Sequence, residues 1–215
     1  MSENTIKDVS ERLVKAGREL YDSGLVRGTS GNISAKIPGT DMFLIKPSGV
    51  QMKVLNPTDL VLVDLQGDKL RGELKVSLEM PMHSAIYRAR KDVQAVVHTH
   101  APTATAFGIA KTMILPLQVE AFMLLPDGVP VVPFKSPGSE ALAEIVKKKI
   151  AKYDALILEN HGIVTVGSTI EDASNLNEIV EEAAKIQLLA MTLSGRGALN
   201  LEELKEKFKT ENTLE

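Results

Sequence analysis

Cysteine and tryptophan are both absent from the 215 residues, and aromatic side chains make up only 4%. Without cysteine there is no disulfide framework, no thiolate nucleophile and no thiolate-bound metal, so any transition metal must rely on histidine and carboxylate. No stretch reaches the roughly 20 apolar residues of a membrane span. The opening MSENTIKDVSERL has no apolar core of the signal-peptide kind. A cytoplasmic location with no membrane partner is the expectation. Charge of one sign is also missing: 25 Lys+Arg face 28 Asp+Glu, for a net −3. That balance argues against a nucleic-acid partner and means that an anionic substrate must be held by local groups. What remains is 44% hydrophobic residues, enough for one large core, and residues 1–215 read as one domain.

Apolar periodicity divides the chain. Ile6, Val9, Leu13, Ala16 and Leu20 recur at spacings of three and four, predicting an amphipathic helix that stops near Gly24. Short β-like runs follow at 43–45 and 61–63. Around them lie turn-rich pieces at 28–32, 46–49 and 66–68. Met80-Pro81 suits a helix start, with Met82, Ile86 and Ala89 on its apolar face. Runs at 93–97, 129–132, 155–158 and 163–166 read as strands. Helices are marked by Leu142 to Ile150, and by Leu176 to Ala190 with an end near Gly195. This alternation predicts a three-layer α/β/α fold. The charged tail 201–215 carries Leu201, Leu204 and Phe208 at helical spacing, as either a short docking helix or a frayed end.

Three of the four histidines follow apolar strand runs: His98 and His100 after 93–97, and His161 after 155–158. Residues two apart on an extended strand face the same side, so two strand ends can bring three imidazoles to one ion and leave an open position on it. The fourth, His83, comes one turn after Glu79, a spacing that can put both on one helix face, as a further ligand, as an acid-base pair with Glu79 or, the expected case, as a local hydrogen bond at the helix start. Glu79 stands where free backbone N–H groups stabilise a carboxylate, as a general base or simply as a solvated acid. Gly31-Asn32, Ser48-Gly49 and Ser77, with Lys46 as a point charge, hold the ingredients of a phosphate nest, although each alone is an ordinary turn or cap.

Ser30-Gly31-Asn32, Lys46-Pro47-Ser48-Gly49, Ser77-x-Glu79-x-x-x-His83, His98-Thr99-His100 and Asn160-His161-Gly162 occur in the order and spacing of the zinc-dependent class II aldolase/epimerase family, which the chain resembles from about Ile6 to Gly195. The resemblance implies a mainly antiparallel or mixed sheet and one Zn2+ per subunit, on His98, His100 and His161. Glu79 would be the acid-base carboxylate, able to approach the zinc when substrate is absent. Gly31, Asn32, Lys46, Ser48, Gly49 and Ser77 would hold the phosphate of a small sugar. It implies a homotetramer with active sites at subunit interfaces. Two positions depart from the family's fuculose-phosphate aldolase type. Leu78 replaces a second serine, removing one phosphate hydroxyl, and Glu120 falls about where the neighbouring subunit's tyrosine acid would be. The expected activity is reversible cleavage of a ketose 1-phosphate, of the L-fuculose 1-phosphate kind, to dihydroxyacetone phosphate and a short aldehyde. An L-ribulose-5-phosphate 4-epimerase, a sugar-acid phosphate decarboxylase or dehydratase, and a non-enzymatic module like the adducin head are the alternatives.

Overall fold

The computed structural model describes residues 3–195 together with Glu202, Lys205 and Glu206. Helix α1 (Glu3–Asp22) leads into β1 (Asn32–Lys36), β2 (Met42–Ile45), β3 (Val61–Asp64) and β4 (Lys69–Arg71). Then come α2 (Met80–Ala89), β5 (Ala95–Thr99), α3 (Pro102–Ile109), α4 (Val119–Leu124), β6 (Val131–Val132), α5 (Glu140–Ile150), β7 (Ala155–Leu158), β8 (Gly162–Gly167) and α6 (Ile170–Ser194). The strands form one eight-stranded sheet in the order β4-β3-β2-β1-β5-β8-β7-β6. Among the described residues only β6 and β7 run parallel. The sheet is therefore mixed and dominated by antiparallel pairs, as expected.

Both faces are covered, which explains the near-continuous apolar runs of the central strands. Along β5, Ala95 and Val97 pack on the face shared with α1, α3 and α6, while Val96 packs against α2 and α5. The same alternation sends Ala155 and Ile157 of β7 one way and Leu156 and Leu158 the other. Period two then assigns the polar residues. Asn32 and Ser34 of β1, alternating with Ile33 and Ala35, and His98 of β5 fall on the α2 side. Thr99 and Thr165 fall on the α6 side.

Behind the sheet, Asn177 of α6 binds both threonines. Thr99 Oγ1 donates to its Oδ1 at 2.6 Å, and its Nδ2 donates to Thr165 Oγ1 at 3.1 Å. Glu181, one turn on, accepts from the backbone N–H groups of Thr103 and Ala104 at the start of α3. The segment 98–104 is thus pinned from the rear. Asn177→Ala leaves the Thr99 hydroxyl without its partner, while Thr165 keeps its bond to Ala173 O, and should lower stability by about 1–3 kcal/mol in urea denaturation.

Several expectations change. The predicted strand at 93–97 lies two residues later, so His98 sits within β5 rather than beyond it. Asn32, read as turn, opens β1, because burial and ladder pairing override the low strand preference of asparagine. The run at 129–132 yields only Val131–Val132 as strand, with Val129 in an isolated bridge to Ile114. β4, α3 and α4 carried no sequence signal of their own. Of the tail, Glu202, Lys205 and Glu206 are helical and Lys205 pairs with Asp127 at 2.8 Å. The rest of the docking-or-frayed question lies outside the described residues. No helix among them is long and apolar enough to cross a membrane.

Candidate metal centre and active site

The antiparallel pairing of β5 with β8 builds the site. Thr99 lies opposite Ile163 and His98 opposite Val164, so the C-terminal end of β5 meets the β7–β8 turn that carries His161. That turn is tight: Asn160 takes a left-handed φ of 57°, and the His161 N–H donates to Leu158 O. Gly162 allows the close approach, since a Cβ there would lie 2.2 Å from Thr99 O and 3.2 Å from His98 Cε1. One ligand atom each from His98, His100 and His161 then fall within 4.8 Å of one another.

The donor chemistry fits a metal ion. His98 Nδ1–H donates to Ile163 O at 2.9 Å, which leaves Nε2 as a lone pair facing His100 Nε2 at 3.3 Å. Two tetrahedral bonds of about 2.0–2.1 Å to one ion span about that separation. His161 Nδ1 is buried with no hydrogen-bond partner. Burial pushes His98 well below the usual imidazole range, with repulsion from His161 and His100 adding to it. Burial also lowers His100, and brings His161 to about 4 with a smaller contribution from His100. All three rings are neutral at pH 7, the state in which imidazole binds a cation.

Glu79 lies at the N-terminus of α2 but caps nothing, making no side-chain hydrogen bond to the helix start. This corrects the expectation of a carboxylate stabilised by free N–H groups. The residue is only 5% exposed, and both carboxylate oxygens lack a hydrogen-bond partner. Burial pushes its pKa up to about 7, against a smaller pull downward from the Gly138 backbone, which approaches the carboxylate without hydrogen-bond geometry. It stands outside the compact group of three histidines. His83, expected to bond locally, instead reaches across to β1, to Ser34 and Asn32. Helical spacing sets Glu79, His83 and Tyr87 in one stripe facing the sheet.

The candidate anion-binding pieces are tied together around this face. Ser48 N–H donates to Lys75 O, two residues before Ser77, whose hydroxyl accepts from Glu79 N–H at 3.3 Å. Lys46 is buried, and its ammonium donates only to the carbonyls of Thr29 and Pro47. Among the described residues no carboxylate pairs with it, and burial lowers it to about 8. Gly31 (φ 70°) leaves no room for a side chain, as its Cβ would press on Val26 and on His98 O. Gly49 is also left-handed, with φ of 77°. Leu78 is exposed and packs against Gly138. Glu120 is exposed in the first turn of α4, away from any described hydrogen bond or ion pair. Sequence reasoning missed Gly138, Ser34 and Tyr87. Each belongs to the site only through strand and helix pairing, so no local signal marks it.

The family described as Class II Aldolase and Adducin N-terminal domain matches residues 11–188. The chain belongs to this family. A 5-deoxy-D-ribulose 1-phosphate aldolase of Bacillus thuringiensis serovar kurstaki is 31% identical over 202 residues, 93% of this chain and 94% of its own. A 3-oxo-tetronate 4-phosphate decarboxylase of Haemophilus influenzae is 31% identical over 190 residues, 86% of this chain and 88% of its own. Among solved structures, an L-fuculose 1-phosphate aldolase superposes with a TM-score of 0.85 at 30% identity, covering 97% of this class II aldolase-family chain and 98% of its own. The relatives are thus sugar-phosphate lyases that share a fold and differ in substrate.

Proposed function

We propose that the protein is a zinc-dependent aldolase that reversibly cleaves a ketose 1-phosphate to dihydroxyacetone phosphate and a short aldehyde. The observation that carries this reading is the convergence of three neutral imidazoles on the sheet face that also buries the unpartnered carboxylate of Glu79. His98, His100 and His161 would hold a divalent cation, whose charge would offset the negative charge that develops on substrate oxygens as the C3–C4 bond breaks. Glu120 of a neighbouring subunit takes the proton of the C4 hydroxyl, and the C3–C4 electron pair moves to the C2 carbonyl as the aldehyde leaves. Glu79 then gives its proton to C3, a task suited to a carboxyl poised near neutral pH. The phosphate is held by Asn32, by Ser48, Ser77 and the backbone at Gly31 and Gly49, and by Lys46, whose buried charge lacks a counter-ion. Exposed Val119 and Met123 on α4, and Leu188, Leu189 and Leu193 on α6, support a tetramer that brings Glu120 to the next subunit's site.

The likeness to the Haemophilus decarboxylase favours a second reading, loss of CO2 from a 3-oxo sugar-acid phosphate, which leaves the same negative charge beside a carbonyl. A panel of 5-deoxy-D-ribulose 1-phosphate, L-fuculose 1-phosphate, L-ribulose 5-phosphate and 3-oxo-tetronate 4-phosphate separates the possibilities. Release of dihydroxyacetone phosphate without CO2 from a ketose 1-phosphate, abolished by EDTA and restored by zinc, is the expected result. CO2 release from the oxo acid alone identifies the decarboxylase, and inversion without free triose phosphate identifies an epimerase. Full cleavage in EDTA would sink the metal-dependent mechanism.

A further inference from the structure

A line of buried hydrogen bonds runs from Tyr87 through Ser34 and His83 to Asn32, and the amide oxygen at its Asn32 end sets the direction of the protons in it. Asn32 Oδ1, an amide oxygen that only accepts, lies 2.5 Å from His83 Nε2, so Nε2 carries the hydrogen of the buried ring. His83 Nδ1 is then the acceptor, and takes the Ser34 hydroxyl proton at 2.6 Å. Ser34 Oγ in turn accepts from the Tyr87 phenol at 2.7 Å.

The consequence falls on Asn32. Its oxygen is held by His83, so its amide hydrogens point the other way. That nitrogen has no hydrogen bond to any described residue. Asn32 follows Gly31 directly and lies opposite His98 in the β1–β5 ladder, at the edge of the histidine cluster. A free carboxamide presents oxygen or nitrogen with nearly equal ease, and an oxygen turned toward a phosphate would repel it.

We infer that His83 is a positioning residue, which holds the Asn32 carboxamide with its N–H groups toward the substrate's phosphate, while the Ser34 hydroxyl occupies the other ring nitrogen. This rests on the sugar-phosphate reading above. Asparagine and glutamine dissect the role. Asparagine at position 83 puts an amide where Nδ1 was and keeps the Ser34 contact, but offers nothing to Asn32. Glutamine reaches the Nε2 position and restores the donor.

Calorimetry of dihydroxyacetone phosphate binding to the metal-loaded protein reads the effect. H83N should bind about 10-fold more weakly, the loss of one hydrogen bond to a charged group, whereas H83Q should stay within about 3-fold of the parent. In steady-state assays H83N should raise KM more than it lowers kcat. In an N32A background the step from His83 to asparagine should cost nothing further. If H83N does not fold, the same cycle with H83F applies, whose ring fills the site without a donor and must lose affinity only while Asn32 is present. An equal H83N loss with and without Asn32, or parental affinity in H83N, overturns the positioning role. A parent protein that binds no dihydroxyacetone phosphate removes the sugar-phosphate reading, and this role with it, which is a different and separable result.

Discussion

Replacing His98 by alanine is expected to strip the protein of bound metal and, with it, of carbon–carbon cleavage. Apparent zinc-binding energies of about 10–16 kcal/mol over four ligands imply roughly a 100-fold loss of affinity, or more, for one imidazole removed. The loss in cleavage should be at least as large, because the charge that develops on the substrate oxygens then has no cation beside it. His98 is the most demanding of the three positions. Its ring is fully buried, and its Nδ1–H is the partner of Ile163 O. Alanine therefore also leaves a cavity and removes that bond, at about 2–4 kcal/mol of stability. His161→Ala, at the half-buried rim, separates the two effects, since it should lose metal equally with a smaller shift in melting temperature. Metal analysis after dialysis, alongside thermal denaturation, reads both. Parental metal content in either variant would remove the imidazole cluster as the binding site.

Glu79→Gln should move activity and stability in opposite directions. Cleavage should fall by about 10²–10⁴-fold, the usual worth of a positioned acid-base group. The metal-free protein should become more stable from about pH 5 upward. The sign follows from burial. The folded-state pKa of Glu79 is raised to about 7, above its ordinary carboxylate value. The unfolded chain thus gives up this proton at lower pH than the folded one does, and folding is penalised as pH rises through that window. Glutamine removes the penalty. Urea denaturation should show almost no difference between parent and variant near pH 4 and a difference growing to about 3 kcal/mol by pH 8 in favour of glutamine. A variant equally or less stable than the parent at pH 8 would mean that the carboxylate is not held as an uncompensated buried charge.

Periodicity made much of the scaffold legible. The apolar stripes of α1, α5 and α6 repeat at three and four, and those helices form close to where the spacing puts them. The buried runs of β7 and β8 are equally plain, because strands covered on both faces need apolar residues at every position. Elements that failed to announce themselves are those whose side chains do not carry them. β4 is exposed along its whole length, β1 begins with a polar residue satisfied from another element, and α4 is one and a half turns with a single buried residue.

The sequence by itself determined the ingredients: no thiol, three histidines at strand ends, a glutamate at a helix start, and small residues in three loops. Residue types and spacing carry that much because chemistry is a property of the side chain and local geometry a property of near neighbours. Only the tertiary structure decided which ingredients meet and in what state. Strand order brings β8 beside β5, so that His161 reaches His98 and His100, and β1 beside β5, so that Asn32 faces the same side. Packing of α2 over that face buried Glu79 and turned His83 from a local helix contact into the anchor of Asn32. Burial and hydrogen-bond direction depend on neighbours far apart in the chain, 51 residues between Asn32 and His83 and 65 between His98 and Ile163, and no window of sequence contains them.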